Sequence, residues 1–297
     1  MVKGLAVYNG FRLMEATKYK ITRLQEEFKA LGISFEAKDS LSLKVEETDS
    51  EISIKGINDY AFCVYLDKDE SMASLLEKKL PLFNSAESTR LCNDKMRTYI
   101  ALTGSGLKTP RTIPSRLCFR KEEADPCKIA AFAEEVGEEL GYPLICKDCF
   151  GSLGLQVYLI KSKEELMEKY SELALEPHLY QQFISSSCGK DFRIFVLNGK
   201  TIAYMERIND HDFRSNIALG GVGYLNQPPK GFKEAAEKAS KILGLDFGGV
   251  DVLIGPDNEP IISEVNSNAF FTEIEKVSKV NVTSLVARHI ATKLHLI

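Results

Sequence analysis

The residues best suited to chemistry lie near the carboxyl end of the chain. Gly249-Val250-Asp251-Val252-Leu253-Ile254 and Pro260-Ile261-Ile262-Ser263-Glu264-Val265-Asn266 flank Gly255-Pro256-Asp257-Asn258-Glu259, a strong turn composition between two apolar runs. Folded as a hairpin about positions 257 and 258, they set Asp251 opposite Glu264, and alternation turns Asn266 to the Glu264 side. Facing carboxylates repel unless a cation offsets them. Mg²⁺, a hard ion that bridges to phosphates, suits this donor set.

Upstream segments supply what phosphate chemistry beside such an ion requires. Lys147 ends the apolar run Tyr142-Pro143-Leu144-Ile145-Cys146, and an ammonium buried there needs an anion. Gly151-Ser152-Leu153-Gly154 follows and can direct backbone N–H groups at phosphate oxygens. Gln181-Gln182-Phe183-Ile184 ends another run and could give a flat base a polar edge and an apolar wall. Arg193 interrupts a strand-like segment. Alternation puts it on one face with Asp191, opposite Phe192 and Ile194, where the two could form an ion pair. Arg207 follows the next strand, and Arg214-Ser215-Asn216 sits in a polar loop. Arginines near paired carboxylates match phosphoryl transfer; a charged surface loop is the competing reading for Arg214. The chain has neither G-x-x-x-x-G-K-[ST] nor an early G-x-G-x-x-G, which speaks against a P-loop and a dinucleotide fold.

The elements that must position these groups are legible in outline. Residues 3–8, 33–37, 51–55 and 60–66 read as strands, and 19–31 and 71–80 as helices, with Ile21, Leu24, Phe28 and Leu31 on one side of the first. A small α/β unit with a partly parallel sheet follows. Next come a helix over 93–102, a helix over 129–140, strands at 142–147 and 156–160, a helix over 163–170 and a strand at 179–184. Strands at 191–197 and 201–206 are joined by Asn198-Gly199, the strongest short hairpin signal. A glycine-rich polar loop covers 211–223, helices cover 232–243 and 282–294, and the opening hairpin lies between them. The divisions expected are 1–92, 93–184 and 185–297.

Composition narrows the class. A net charge of -4 gives no bulk attraction to nucleic acid or to an anionic membrane. No apolar run is long enough to span a bilayer, and the opening segment Met1 to Tyr8 is too short for a signal peptide. Seven scattered cysteines suggest no disulfide framework. Cys146-Lys147-Asp148-Cys149 has no second pair at zinc spacing and sits at a strand end, where cysteine serves as a small hydrophobe. A reducing cytoplasm is the expected compartment.

Taken in order, these stretches resemble the ATP-grasp superfamily, and within it the RimK-like carboxylate–amine ligases. The resemblance runs from about 90 to 280 through Asn93-Asp94-Lys95, Gly106 to Thr112, Tyr142 to Lys147, Gly151 to Gly154, Gln182-Phe183-Ile184, Gly189 to Arg193, Phe213 to Asn216, Gly249-Val250-Asp251 and Glu264-Val265-Asn266-Ser267. It implies an α/β N-terminal domain followed by two α+β subdomains of an ATP-grasp fold, with ATP between the two. It implies phosphate contacts from Lys95, Lys147 and Lys190, a mobile cover from Gly151, Ser152 and Gly154, and an adenine border of Gln182, Phe183 and Ile184. Asp251, Glu264 and Asn266 would hold Mg²⁺, or Mn²⁺ in its place. Arg214, Asn216 and Arg193 would be the catalytic groups, and the first ninety residues would help to bind the acceptor.

The activity so implied is ATP-dependent joining of a small-molecule or peptide carboxylate to an amine through an acyl phosphate. Carboxylate–thiol ligation, phosphorylation of a small molecule and nucleotide binding without turnover are the alternatives. No nucleic-acid or membrane partner is expected, and a homo-oligomer would be in keeping with the family. One departure stands out. Where the family often continues with Ser-Pro-Gly, this chain has Asn268-Ala269-Phe270-Phe271, which would make the acceptor wall bulkier and more apolar unless both rings pack into the core. The acid and the amine are not readable from the sequence.

Overall fold

Apolar spacing and capping residues explain most of the elements in the computed structural model, which describes residues 2–297; Met1, the first residue of the opening segment, lies outside them. The N-terminal unit comprises β1 (Lys3–Tyr8), α1 (Glu15–Ala30), β2 (Ser34–Asp39), β3 (Val45–Glu47), β4 (Ile52–Ile54), β5 (Phe62–Leu66), α2 (Glu70–Glu77), β6 (Leu82–Phe83) and α3 (Ala86–Asn93). Its main sheet runs β2-β1-β5-β6 and is parallel throughout, rather than in part. The strand expected near 51–55 is not in that sheet. It pairs with β3 as a separate two-stranded ribbon. Residues 82–83 and 86–93 carried no clear periodic signal, being short and mixed, yet form β6 and α3.

Asp94 separates α3 from α4 (Lys95–Leu102) by capping the latter, its carboxylate accepting from Met96 and Arg97 N–H. Lys95 therefore sits at the first helical position, where the helix dipole disfavours a cation. The middle sheet, of order β7-β10-β8-β9, is built from β7 (Thr112–Pro114), β8 (Leu144–Asp148), β9 (Val157–Ile160) and β10 (His178–Gln182). It is backed by α5 (Pro126–Leu140) and α6 (Lys163–Leu173) through Phe132, Val136, Leu166 and Tyr170. Asp125 caps α5 and Pro126 opens it, a favourable pair at a helix start. Cys146 and Cys149 are buried with free thiols. Burial pushes both thiols up to about 12, so they remain protonated and inert at neutral pH.

The third sheet has the order β13-β12-β11-β14-β15 and is antiparallel. Its strands are β11 (Lys190–Leu197), β12 (Lys200–Ile208), β13 (Val222–Tyr224), β14 (Phe247–Ile254) and β15 (Pro260–Asn266). β13 begins inside the stretch expected to be a loop. Phe192, Ile194, Val196, Val250 and Val252 pack under α7 (Phe232–Ile242). The opposite face carries Phe195 and Phe247, which share a core with α1, α8 (Thr272–Ser278) and α9 (Val282–Lys293). The N-terminal unit and the third sheet thus close one hydrophobic core together. Asn84 strengthens that seam from its buried position, donating to Phe247 O and Ser267 O at 2.8 and 2.7 Å.

Phe271 is fully buried and meets Phe195 with ring centroids 5.4 Å apart. It is a core residue, not part of an acceptor wall; Phe270 is half-buried. Lys20, from α1, lies in the same core. Its ammonium donates to Asn268 Oδ1 at 2.9 Å and Ala269 O at 3.0 Å and sits 4.4 Å from the Phe271 ring centre. Burial pulls its pKa down from 10.5 to about 7. Below pH 7 both folded and unfolded chains hold the proton, and the fold bears the full desolvation cost. Between pH 7 and 10.5 the unfolded chain binds more protons, so stability rises with pH. Lys20→Met removes this dependence. The stability of wild type relative to Lys20→Met should increase by about 1.4 kcal/mol per pH unit above pH 7, read from urea midpoints at pH 6.5 and 9.

Candidate active site

The cleft between the middle and third sheets collects charge from seven separate segments. Lys95, Lys147, Lys190, Arg207 and Arg214 line it together with Asp191, Asp251 and Glu264. Gly151, Ser152, Gly154, Gln182, Phe183, Ile184 and Asn216 line it as well. Of the sequence-predicted residues, Arg193 and Asn266 do not line it; they lie on β11 and β15.

The two lysines reach the cleft from different elements. Lys147 comes from β8 and donates to Ser263 Oγ at 3.4 Å. Burial pulls its pKa down to about 8 and Lys95 pushes the same way, while Glu264 acts against them. Lys95 Nζ donates to Gly151 O and lies 3.6 Å from Glu264 Oε1. Two ammonium groups held near one carboxylate form a positive rim that suits polyphosphate.

Asp251 faces Glu264 on the β14–β15 hairpin, but the pairing arises less simply than the turn suggests. From Ile254↔Pro260 to Val252↔Ile262 the register is one residue short of the symmetric one, and a bulge between Asp251 and Val252 restores it. Without that bulge Asp251 would face Ser263. A second bulge does similar work on the β11–β12 hairpin. Carried straight from the turn, Asp191 would oppose Glu206; the shift between Phe195 and Val196 sets it opposite Arg207 instead.

These registers build a buried ion network. Arg193 grips Asp251 through Nε and, at 2.8 Å, through Nη2. Arg207 Nη2 lies 3.0 Å from Asp251 Oδ2 and pairs bidentately with Asp191. The ion pair drawn along one strand, Asp191 with Arg193, is therefore corrected: each residue pairs with the neighbouring strand. Burial alone would raise the Asp251 pKa, but the two guanidiniums outweigh it and hold the carboxyl below its usual range.

Asp251, Glu264 and Asn266 offer hard oxygen donors from adjoining strand positions, and the buried Asn266 Nδ2 has no hydrogen-bond partner. The donor chemistry fits Mg²⁺. Among the described residues no cluster of three acidic, His or Cys side chains forms a metal site.

The glycine turn closes the cleft from above. Leu153 and Gly154 both have positive φ, 61° and 76°, and a Cβ on Gly154 would stand 2.6 Å from Asn216 Oδ1. Only glycine permits this approach. Arg214 donates to Gly154 O at 2.7 Å and Val157 O at 3.3 Å, and pairs with Asp212 at 2.7 Å. The expectation that Arg214 addresses the reacting groups is thus modified: it lines the cleft while its guanidinium binds the turn. At the other end, Phe183 meets Phe213 edge-on, ring centroids 6.4 Å apart.

Ser263 is a cleft residue to which sequence reasoning gave no role, and Arg207 one that it placed only in general terms, among arginines near paired carboxylates. The sequence signal for Arg207 was its place after an alternating strand, but its partner depended on the bulge.

Residues 92–290 match the RimK family model, a RimK-like ATP-grasp domain. The chain is 32% identical over 231 residues to human N-acetylaspartylglutamate synthase A, covering 75% of this chain and 56% of that protein. It is 28% identical over 296 residues to mouse beta-citrylglutamate synthase B, covering 95% of this chain and 73% of that one. The chain therefore spans little more than half the length of the first of these relatives. Its fold is similar to that of the ATP-grasp ligase PsnB solved with a phosphomimetic variant of its minimal precursor, Mg and ADP, with a TM-score of 0.67, 17% identity and 99% of each chain covered.

Proposed function

The chain belongs to the RimK-like ATP-grasp family, and from that premise we propose that it is an ATP-dependent carboxylate–amine ligase. The observation that carries this reading is the convergence of Lys95, Lys147, Asp251, Glu264 and the Gly151–Gly154 turn on one cleft. We assign residues 1–92 to an N-terminal domain, 93–184 to the central subdomain and 185–297 to the C-terminal one.

In this reading ATP lies in the cleft with adenine against Gln182, Phe183 and Ile184. Lys95, Lys147 and Lys190 neutralise its phosphates. Asp251, Glu264 and Asn266 would hold Mg²⁺, which when bound supplies charge neutralisation at the phosphate oxygens. The substrate carboxylate attacks the γ-phosphorus, the bond to the β-phosphate bridging oxygen breaks, and ADP leaves. The acyl phosphate then meets the amine, loses inorganic phosphate and gives an amide. The protein's part is mainly positioning and electrostatic stabilisation. An acyl phosphate hydrolyses in water, so a glycine turn latched by Arg214 gives closure a chemical purpose.

The names of the curated relatives point to an amino acid, glutamate among them, as the amine and to a small acid as its partner. ADP release measured with citrate or N-acetyl-L-aspartate, with and without L-glutamate, separates the classes. A ligase needs acid and amine for full turnover. Full turnover with one partner indicates a kinase, and the absence of ADP release with any pair contradicts the proposal.

A further inference from the structure

The bulge that sets Asp251 opposite Glu264 contains one extra residue, Ser263. Where β14 runs from Asp251 to Val252, β15 runs from Glu264 through Ser263 to Ile262, and Ser263 pairs with nothing on β14. A bulge leaves its extra residue outside the ladder. β15 is also the last strand of its sheet. Among the described residues its outer side meets one bridge, Lys108 with Ile261. A carbonyl in that position needs a partner from outside the sheet.

Tyr99 supplies it. This tyrosine is 4% exposed, and its hydroxyl donates to Ser263 O. The direction of the neighbouring bonds fixes that of this one. Thr112 Oγ1 gives its proton to Pro110 O at 2.8 Å, and so accepts from Gln181 Nε2, also at 2.8 Å. Gln181 Oε1 is then the end turned toward Tyr99, at 3.4 Å. The phenol faces two acceptors, and its one proton goes to the nearer, Ser263 O. Burial raises its pKa, so it stays a donor across the neutral range.

α4 thus aims two residues at adjoining positions of β15. Lys95 and Tyr99 are four apart and share a helix face. Lys95 Nζ lies 3.6 Å from Glu264 Oε1, while Tyr99 holds Ser263. Ser263 Oγ in turn accepts from Lys147 Nζ at 3.4 Å. We propose that Tyr99 is a positioning residue: its hydroxyl fixes the bulge at Ser263, keeping Glu264 opposite Asp251 as a metal donor and Ser263 Oγ beside Lys147. Without the hydroxyl the extra residue is free to move along β15, and a shift of one position turns a side chain to the other face. The consequence for turnover rests on the ligase reading; the consequence for the strand does not.

Tyr99→Phe keeps the ring and removes the hydroxyl, and Tyr170→Phe is its matched control. Tyr170 is 5% exposed and also donates to a backbone carbonyl, Arg116 O, but does not line the cleft. Two readouts need no turnover. In metal-free protein, amide exchange across residues 260–266, followed by mass spectrometry, should be at least about fivefold faster in Tyr99→Phe than in wild type. With ADP present, Mn²⁺ titrated by electron paramagnetic resonance should bind Tyr99→Phe at least about fivefold more weakly. Both quantities should stay within about twofold of wild type in Tyr170→Phe, whatever its melting temperature. A smaller change of either quantity in Tyr99→Phe, or equal changes in the two variants, overturns the assignment. Wild type that binds Mn²⁺ with ADP, yet releases no ADP from ATP when acid and amine are added, contradicts the ligase reading instead.

Discussion

Glu264→Gln lowers ATP turnover by about 10³-fold, or about 4 kcal/mol of transition-state stabilisation. The expectation follows from three positions at once. Glu264 lies opposite Asp251 as a metal donor, stands 3.6 Å from Lys95, and is the largest favourable charge acting on Lys147. The amide keeps the size and loses the charge. Metal affinity should drop by about 10–100-fold, the range seen even for groups one shell further out. The Lys147 pKa should fall below the value of about 8 that it has beside Glu264. Single-turnover ADP release across a Mg²⁺ titration reads both effects. Retained turnover with unchanged Mg²⁺ dependence would remove Glu264 from the site.

Lys147→Met should weaken ATP binding by about 100-fold while making the protein harder to melt. The opposed signs come from one fact. Burial takes the Lys147 pKa from 10.5 to about 8, so below pH 8 the folded chain holds a charge that the unfolded chain solvates more easily. That cost is fully present below pH 8 and is relieved as the pH rises toward 10.5. Methionine removes it and keeps the packing, for a gain of up to about 3 kcal/mol, equivalent to several degrees of melting temperature. ATP supplies the anion that makes the lysine worthwhile. Wild-type ATP affinity should therefore decline as pH rises through about 8, whereas the weak affinity of Lys147→Met should lack that step. Calorimetric titration at pH 7 and 9, with melting curves for the ligand-free proteins, gives both readouts.

Local patterns carried much of this architecture into the sequence. Asn198-Gly199 set its hairpin, alternation put Asp191 and Arg193 on one face, and the order of the glycine turn, lysines and acidic hairpin was legible from residue types. Register was not legible, because a bulge leaves no composition mark. Asp251 meets Glu264, and Asp191 meets Arg207, only through one-residue slips at Val252 and Val196. Long-range packing was equally hidden. Nothing near Lys20 announces that it will lie under Asn268 and Phe271, about 250 residues away. Arg214 illustrates a third limit: a polar loop predicts exposure, but its anchoring to Gly154 and Val157 depends on how two sheets approach.

The central claim is that a carboxylate oxygen becomes bonded to the γ-phosphorus of ATP in this cleft. The direct measurement uses an acid substrate labelled with ¹⁸O in its reacting carboxylate, converted with ATP, Mg²⁺ and its amine. Mass spectrometry of the released phosphate should find one ¹⁸O atom per phosphate formed. ADP and phosphate released at full rate, with the phosphate free of label, would contradict the account.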